Sequence, residues 1–238
     1  MNHNARLIVD GPQDPLFNMA CDEALGLCVS APVLRFYQWE PPALSLGYFQ
    51  KPEKIKPFMH QLDNPPAVRR ITGGGAIYHF RELTYSIISP PGVLPLPSEI
   101  AESYRFLHSP FISVLNTLGV PAQDNFEAGK GRPAACFDRI TPFDVTVKGR
   151  KILGSAQRRH KQYFLQHGSL PLEPNPFSER ATSVQEELGS IPITDELIQL
   201  LTEAVSTVLG MEFRPDSLTE KEKETVSKLL SEKAVSVV

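Results

Sequence analysis

The chain has 238 residues, 41% of them hydrophobic and 21% charged, with a formal net charge of −3 and a pI near 6. These proportions exclude a disordered chain, a coiled coil and a collagen-like repeat. No apolar run approaches the ~20 residues that a membrane helix needs, and the slightly acidic balance argues against a nucleic-acid partner.

Twenty-two prolines, about twice the usual share, predict many fixed turns. The opening residues lack the apolar core of a signal peptide, so a cytoplasmic protein is expected. Cys21, Cys28 and Cys136 are odd in number and form no CxxC, so free thiols are expected rather than a disulfide framework or a zinc site.

The first predicted helix runs from Asp14 to about Cys28, capped by Asp14 with Pro15 in its first turn. Phe17, Cys21, Ala24, Leu25 and Cys28 share one stripe, so Cys21 and Cys28 are expected in the core. Val33–Tyr37 and Ala43–Tyr48 read as a hairpin around Pro41-Pro42, and Val68–Ile71 as a short strand. Ala76–His79 and Leu83–Ile88 read as a second hairpin. Ser98–Leu118 has helical spacing, with Pro110 expected to kink or restart it near Ser109.

Phe143–Val147 and Arg150–Ser155 flank Lys148-Gly149, a two-residue hairpin turn. Tyr163–Leu172 is a further strand. Thr194–Leu209 is a helix stopped by Gly210. Ser217 to Glu220 and Thr219 to Glu222 both match a capping box for a last, charged helix. The element order is not an alternating βαβ series, so the expected fold is α+β: a single domain over 1–238 with a mostly antiparallel mixed sheet flanked by helices. Its core spans about 14–173, with a C-terminal helical segment at about 190–235.

Four segments carry candidate chemistry. Arg69-Arg70-Ile71-Thr72 runs into Gly73-Gly74-Gly75, where the backbone can approach a ligand closely and present N–H groups to an anion or carbonyl; a flexible turn is the plainer alternative. Its spacing is neither the phosphate loop nor the dinucleotide fingerprint. In the second segment, a two-residue turn at Lys148-Gly149 pairs Lys151 with Thr146 and makes Asp144 its diagonal neighbour. That would fix a cation on a sheet face rather than leave a basic turn in solvent. Cys136 lies at the end of a loop, where a core thiol is the ordinary alternative to a nucleophile. Gln166-His167-Gly168-Ser169 resembles a site edge; a bulge at a strand end with a satisfied histidine is the ordinary alternative. No metal-ligand spacing and no serine-hydrolase elbow are present.

Together these segments resemble the biotin/lipoate protein ligase catalytic-domain family. Arg69-Arg70-x-Thr72-Gly73-Gly74-Gly75-Ala76-x-x-His79 resembles its glycine-rich acyl loop. Gly149-Arg150-Lys151-x-x-Gly154-Ser155-Ala156-Gln157-x-Arg159 resembles its lysine motif, and Gln166-His167-Gly168-Ser169 the strand after it. Asn18-Met19-Ala20-x-Asp22-Glu23-Ala24 resembles its N-terminal helix. Leu34 to Gln50, Glu82-Leu83-Thr84-Tyr85-Ser86, and Ala135-Cys136-Phe137 ahead of Lys151 are similar to its cysteine-dependent octanoyltransferase branch. Gly75 and Phe80 depart from that branch, as do the residues after Cys136.

The resemblance implies an octanoyltransferase of lipoate biosynthesis, with octanoyl-acyl carrier protein as donor. The acceptor would be the lipoyl domain of a glycine-cleavage H protein or of a 2-oxoacid dehydrogenase subunit. Cys136 would be the thioester nucleophile and Lys151 its cation. Arg70, Gly73, Gly74, Gly75, His79, Ser155, Ala156, His167 and Gly168 would bind substrate, and Tyr37, Ile77 and Leu46 would help form an acyl slot. No cofactor is implied. The rivals are an ATP- and magnesium-dependent lipoate–protein ligase, an amidotransferase between lipoyl domains, and a catalytically dead acyl-binding protein.

Overall fold

A computed structural model describes residues 5–125, 140–175, 178 and 180–234, the side chains at 54, 57, 58, 233 and 234 apart. In chain order the strands are β1 (Ala5–Gln13), β2 (Val33–Trp39), β3 (Ala43–Leu46), β4 (Ala67–Arg69), β5 (Ile77–His79), β6 (Glu82–Ser89), β7 (Gln123–Asp124), β8 (Val145–Val147), β9 (Arg150–Arg159), β10 (Phe164–Pro171) and β11 (Phe213–Pro215). The helices are α1 (Pro15–Cys28), α2 (Lys56–Gln61), α3 (Ile100–Thr117), α4 (Val184–Leu188), α5 (Thr194–Leu209) and α6 (Glu220–Ala234).

Eight strands form one sheet in the order β11-β1-β2-β6-β10-β9-β8-β7. The β11/β1 and β1/β2 pairs are parallel and the rest antiparallel. This is the α+β fold with a mostly antiparallel mixed sheet that the pattern predicts. A smaller sheet, β4-β3-β5, stands apart from it.

Alternation along the strands sorts the two faces. Leu34 and Phe36 of β2, and Leu83, Tyr85 and Ile87 of β6, pack with Leu107 and Phe111 of α3 and Leu197, Leu201 and Val205 of α5. Val33, Ile88 and Leu165 face the other way, onto Cys21, Ala24 and Leu25 of α1 and Val226 and Leu229 of α6.

Several expectations fail for physical reasons. β1 was not anticipated: its apolar run is short and broken by Gly11-Pro12, and pairing with β2 and β11 makes it a strand. β3 does not form a hairpin with β2, because β1 and β6 already occupy both edges of β2; β3 pairs with β4 and β5 instead. In the same way β2 and β10 fill the edges of β6, so β5 and β6 are not a hairpin. Between them Arg81 takes a positive φ of 44°.

Helix α3 runs unbroken through Pro110. The proline supplies no N–H for the carbonyl four residues back, and the Ser109 hydroxyl donates to that Phe106 carbonyl instead (2.8 Å). Cys21 is buried, but Cys28 is only half-buried, with its sulfur 3.3 Å from Thr225 Oγ1. Among the described residues no helix is long and apolar enough to cross a membrane.

The last helix uses the second of its two possible caps. Thr219 N–H donates to Glu222 Oε2 (2.7 Å) and Glu222 N–H donates to Thr219 Oγ1 (3.3 Å). The same buried Glu222 accepts from Arg6 of β1, which also donates to Asp216 and the Ser217 carbonyl. Arg6→Ala strands a buried carboxylate. Urea unfolding should show a loss of about 2–3 kcal/mol, with faster amide exchange in 220–234; an unchanged midpoint would contradict this role for Arg6.

Candidate active site

The β8–β9 hairpin turns on Lys148 and Gly149, with φ of 49° and 78°, the positive pair that a type I′ turn needs. Lys151 then lies opposite Thr146. A register shift between Val145 and Thr146 leaves Asp144 in reach, and Lys151 Nζ stands 2.9 Å from Asp144 Oδ1. The Asp144 carboxylate is buried and also accepts from Thr141 N–H (2.6 Å). The lysine stem crosses Gly154, where a Cβ would overlap its Cε and Nζ. The glycine of the lysine motif is therefore a channel for the lysine side chain.

The glycine loop is organised by Arg70, which is buried and spends all five N–H groups on neutral acceptors. Nη2 donates to the Gly73 and Gly75 carbonyls (2.8 and 2.7 Å), Nη1 to the Ser45 carbonyl and hydroxyl (3.0 and 3.2 Å), and Nε to Thr72 Oγ1 (3.2 Å). Among the described residues no carboxylate pairs with it. Burial pulls its pKa down to about 10, so it stays charged at neutral pH. Gly74 has φ +95°, and a Cβ on Gly47 would overlap the Gly74 carbonyl, so main chain packs directly on main chain where β3 meets the loop.

Two matched relays end on this guanidinium. In one, His167 Nδ1 stands 3.0 Å from Asp22 Oδ2 and Nε2 2.6 Å from Thr72 Oγ1. In the other, His79 Nδ1 stands 2.6 Å from Glu82 Oε1 and Nε2 2.7 Å from Ser45 Oγ. Asp22 also accepts from Arg35 Nη1, the Tyr37 hydroxyl and Ser86 Oγ at 2.9–3.0 Å. Burial would raise the Asp22 pKa, but the His167 hydrogen bond and the Arg35 charge hold it below the usual carboxylate range. Burial depresses His167, against the pull of Asp22. The neutral ring thus donates through Nδ1 and accepts the Thr72 proton at Nε2. Glu82 takes further hydrogen bonds from Thr84 and Ser169, and Trp39 stacks on His79 with centroids 3.7 Å apart.

A cavity of about 440 Å³ opens where β5 and the glycine loop face β9 and β10, within the usual range for small-ligand sites. Of the predicted residues, Arg70, Gly74, Gly75, Lys151, Ser155 and Ala156 line it. His79, His167 and Gly168 border a narrow inner extension with Tyr37 and Ile77. Gly73 is on neither lining; its carbonyl serves Arg70. Leu46 is buried against Ile55 and Ala76 and is not part of the slot. Cys136, fifteen residues before Lys151 in the sequence, lies outside the described residues.

Ser155 Oγ sits 2.8 Å from both Tyr85 OH and His108 Nε2. Burial, with the nearby Lys151 charge, lowers the His108 pKa to about 3. The neutral ring accepts the Ser155 proton, which leaves the serine as an acceptor toward Tyr85. Gly168 is needed here, since a Cβ would overlap Ser155 Oγ and Tyr85.

The model of the lipoyl protein ligase A/B catalytic domain matches residues 14–181. The chain belongs to that family. It is 34% identical over 259 residues to the octanoyltransferase LipM of Kyrpidia tusciae, covering 95% of this chain and 94% of the relative. It is 32% identical over 266 residues to the octanoyltransferase LipM of Bacillus subtilis, covering 97% and 95%. Among solved structures it is similar in fold to a lipoate-protein ligase A bound with ATP: TM-score 0.77, 24% identity, 97% of this chain and 95% of that one covered. The biotin protein ligase of Aquifex aeolicus with biotin and ATP shares the fold more distantly: TM-score 0.51, 13% identity, 87% and 70% covered.

Within this family frame, sequence reasoning missed the partners more often than the motif residues. Ser45, Glu82 and Trp39 come from strands whose pattern says only "buried". His108 carried one signal, a histidine on the apolar stripe of α3.

The buried histidines set a pH dependence. In the unfolded chain they titrate near 6.5, whereas in the folded chain His108 and His167 both titrate lower. Below pH 6.5 the unfolded state therefore binds more protons and stability falls as pH falls. Asp22, depressed in the folded state, acts in the same direction at still lower pH. Urea unfolding between pH 6.5 and 5 should lose up to about 1.4 kcal/mol per pH unit for each histidine. His108→Gln should flatten that slope; a wild-type curve flat across this window would contradict the assignment.

Proposed function

We propose that this chain transfers an octanoyl group from octanoyl-acyl carrier protein to the lysine of a lipoyl domain, through a thioester on Cys136. The observation that carries the reading is the Lys151–Asp144 pair, a fixed cation on the wall of a ligand-sized cavity. Its position in the lysine motif and the full-length likeness to octanoyltransferases support the reading.

The chemistry needs no external activation, because a carrier thioester is already activated. The Cys136 thiolate attacks the thioester carbonyl, the bond to the carrier sulfur breaks, and the carrier leaves as a thiolate that takes a proton from solvent. The neutral amine of the acceptor lysine then attacks the enzyme thioester. The amide forms, the Cys136 thiolate is released, and the amine proton passes to solvent.

Lys151 has two tasks in this scheme. Its positive charge favours the thiolate over the thiol, and its N–H groups can donate to the carbonyl oxygen as negative charge develops there. Asp144 and the groove over Gly154 set where that charge stands. The buried charge of Arg70 favours electron-rich oxygen at the same wall. The acceptor is a lipoyl-domain protein; the H protein of glycine cleavage and the 2-oxoacid dehydrogenase subunits are the candidates.

Intact-protein mass spectrometry tests the thioester. Wild-type protein mixed with octanoyl-acyl carrier protein, without ATP, should gain one octanoyl group that hydroxylamine removes, and Cys136→Ser should not. Acylation that appears only with free octanoate, ATP and magnesium would overturn the proposal in favour of a ligase.

The groove over Gly154 is tested separately. Gly154→Ala pushes aside the flexible end of Lys151, so stability should change by less than about 1 kcal/mol. The rate of lysine acylation should fall roughly 100-fold from misplacement of the cation. An unaltered rate would show that the lysine need not lie in that groove.

A further inference from the structure

At the rim of the cavity, between β3 and the 3-10 turn that precedes α2, the chain presents Gly47-Tyr48-Phe49-Gln50. Phe49 is 86% exposed, the most exposed large apolar side chain among the described residues. It borders the same cavity as Lys151. A lone exposed apolar residue on a loose loop needs no explanation, but this loop is held firmly. Arg69 Nη1 donates to three of its carbonyls, Gly47, Tyr48 and Gln50 (3.1, 3.2 and 2.8 Å). Gln50 Oε1 accepts from Gly47 N–H (2.9 Å), and Tyr48 N–H donates to the Thr72 carbonyl (2.8 Å).

Tyr48, itself 46% exposed, meets Phe49 edge-on, and the Arg158 guanidinium lies 5.1 Å from its ring centre. The fold thus spends six hydrogen-bonding groups on fixing an aromatic pair that covers no core of its own. Next to it, Lys51, Lys54 and Lys56 outnumber Glu53, and Lys51 and Lys56 are exposed.

We propose that Phe49 and Tyr48 form the docking anchor for the protein that owns the acceptor lysine, and that this protein meets the flanking lysines with an acidic surface. The inference rests on the octanoyl-transfer reading. Reach selects this occupant. A lysine side chain extends only about 6 Å from its own backbone, less than two residues of extended chain. A protein that delivers its lysine into the cavity must therefore rest on the rim. A rigid aromatic at such a position is a typical anchor, since it buries a large area at little entropic cost. The cationic strip next to it suits an acidic partner and would speed encounter.

Two measurements on the full-length enzyme test this, with a recombinant unlipoylated H protein as probe. The first is its affinity for wild type, Phe49→Ser and Lys51→Glu/Lys56→Glu by biolayer interferometry. The second is octanoyl transfer from an octanoyl thioester to that domain and to a short lysine peptide.

Phe49→Ser should weaken binding of the domain roughly tenfold, the size of an ordinary anchor loss. KM for the domain should rise by a similar factor, and the loss should be several-fold smaller with the peptide than with the domain. The lysine reversal should also weaken binding and reduce its dependence on salt. Equal affinity for wild type and Phe49→Ser overturns the inference, as does an equal loss with domain and peptide, which would make Phe49 part of the cavity chemistry. Binding is read independently of turnover. If wild type moves no octanoyl group yet Phe49→Ser still loses the domain, the transfer reading fails and the docking anchor stands.

Discussion

One buried guanidinium ties this site together. Arg70 takes Thr72 and Ser45 on one side and the carbonyls of Gly73 and Gly75 on the other. Behind each hydroxyl stands an imidazole, and behind each imidazole a carboxylate. The two chains reach into different parts of the molecule. Asp22 belongs to α1 and His167 to β10, whereas Ser45 and His79 belong to the small sheet and Glu82 to the start of β6. A charge that burial would otherwise make costly thereby fixes helix, large sheet, small sheet and glycine loop relative to one another. Every donor and acceptor in the two relays has one role available to it, the condition under which buried polar networks specify a single arrangement.

The sheet explains why the relays can sit so close to an apolar core. Strand alternation sends Tyr85, Gln166 and Ser155 to the face of α3, and Tyr37, Ser86 and His167 to the face of α1. Both faces near the cavity are polar, and both are satisfied by partners on neighbouring strands. The apolar clusters lie to either side, under α3 and α5 and between α1 and α6.

Local chemistry was readable in the sequence wherever a turn or cap determines it. Asp14 with Pro15, Lys148-Gly149 and Gly210 each sit where their backbone preferences require. The pairing of Lys151 with Thr146 followed from the turn, since a two-residue hairpin leaves one register, and it put Asp144 on the same sheet face; the register shift at Val145 that accompanies the ion pair was not readable. The strand partners were not readable. Nothing in Ala43–Leu46 or Ile77–His79 says that β2 and β6 already have both edges filled; that is a property of strands far away in the chain. The same reason hid Ser45 and Glu82, whose roles exist only once the small sheet is built. His108 was hidden differently: a histidine on a helix stripe reads as core, and its hydrogen bond to Ser155 depends on how α3 lies across the sheet.

Lys151 bears on how a chain that acylates lysines would spare itself. Lys151 lines the cavity proposed to receive the acyl group. Its ion pair with Asp144 turns the amine toward that carboxylate. The buried aspartate therefore does more than place a charge: it engages the one lysine amine that lines the cavity among the described residues, and leaves the proposed reaction to an amine brought in from outside.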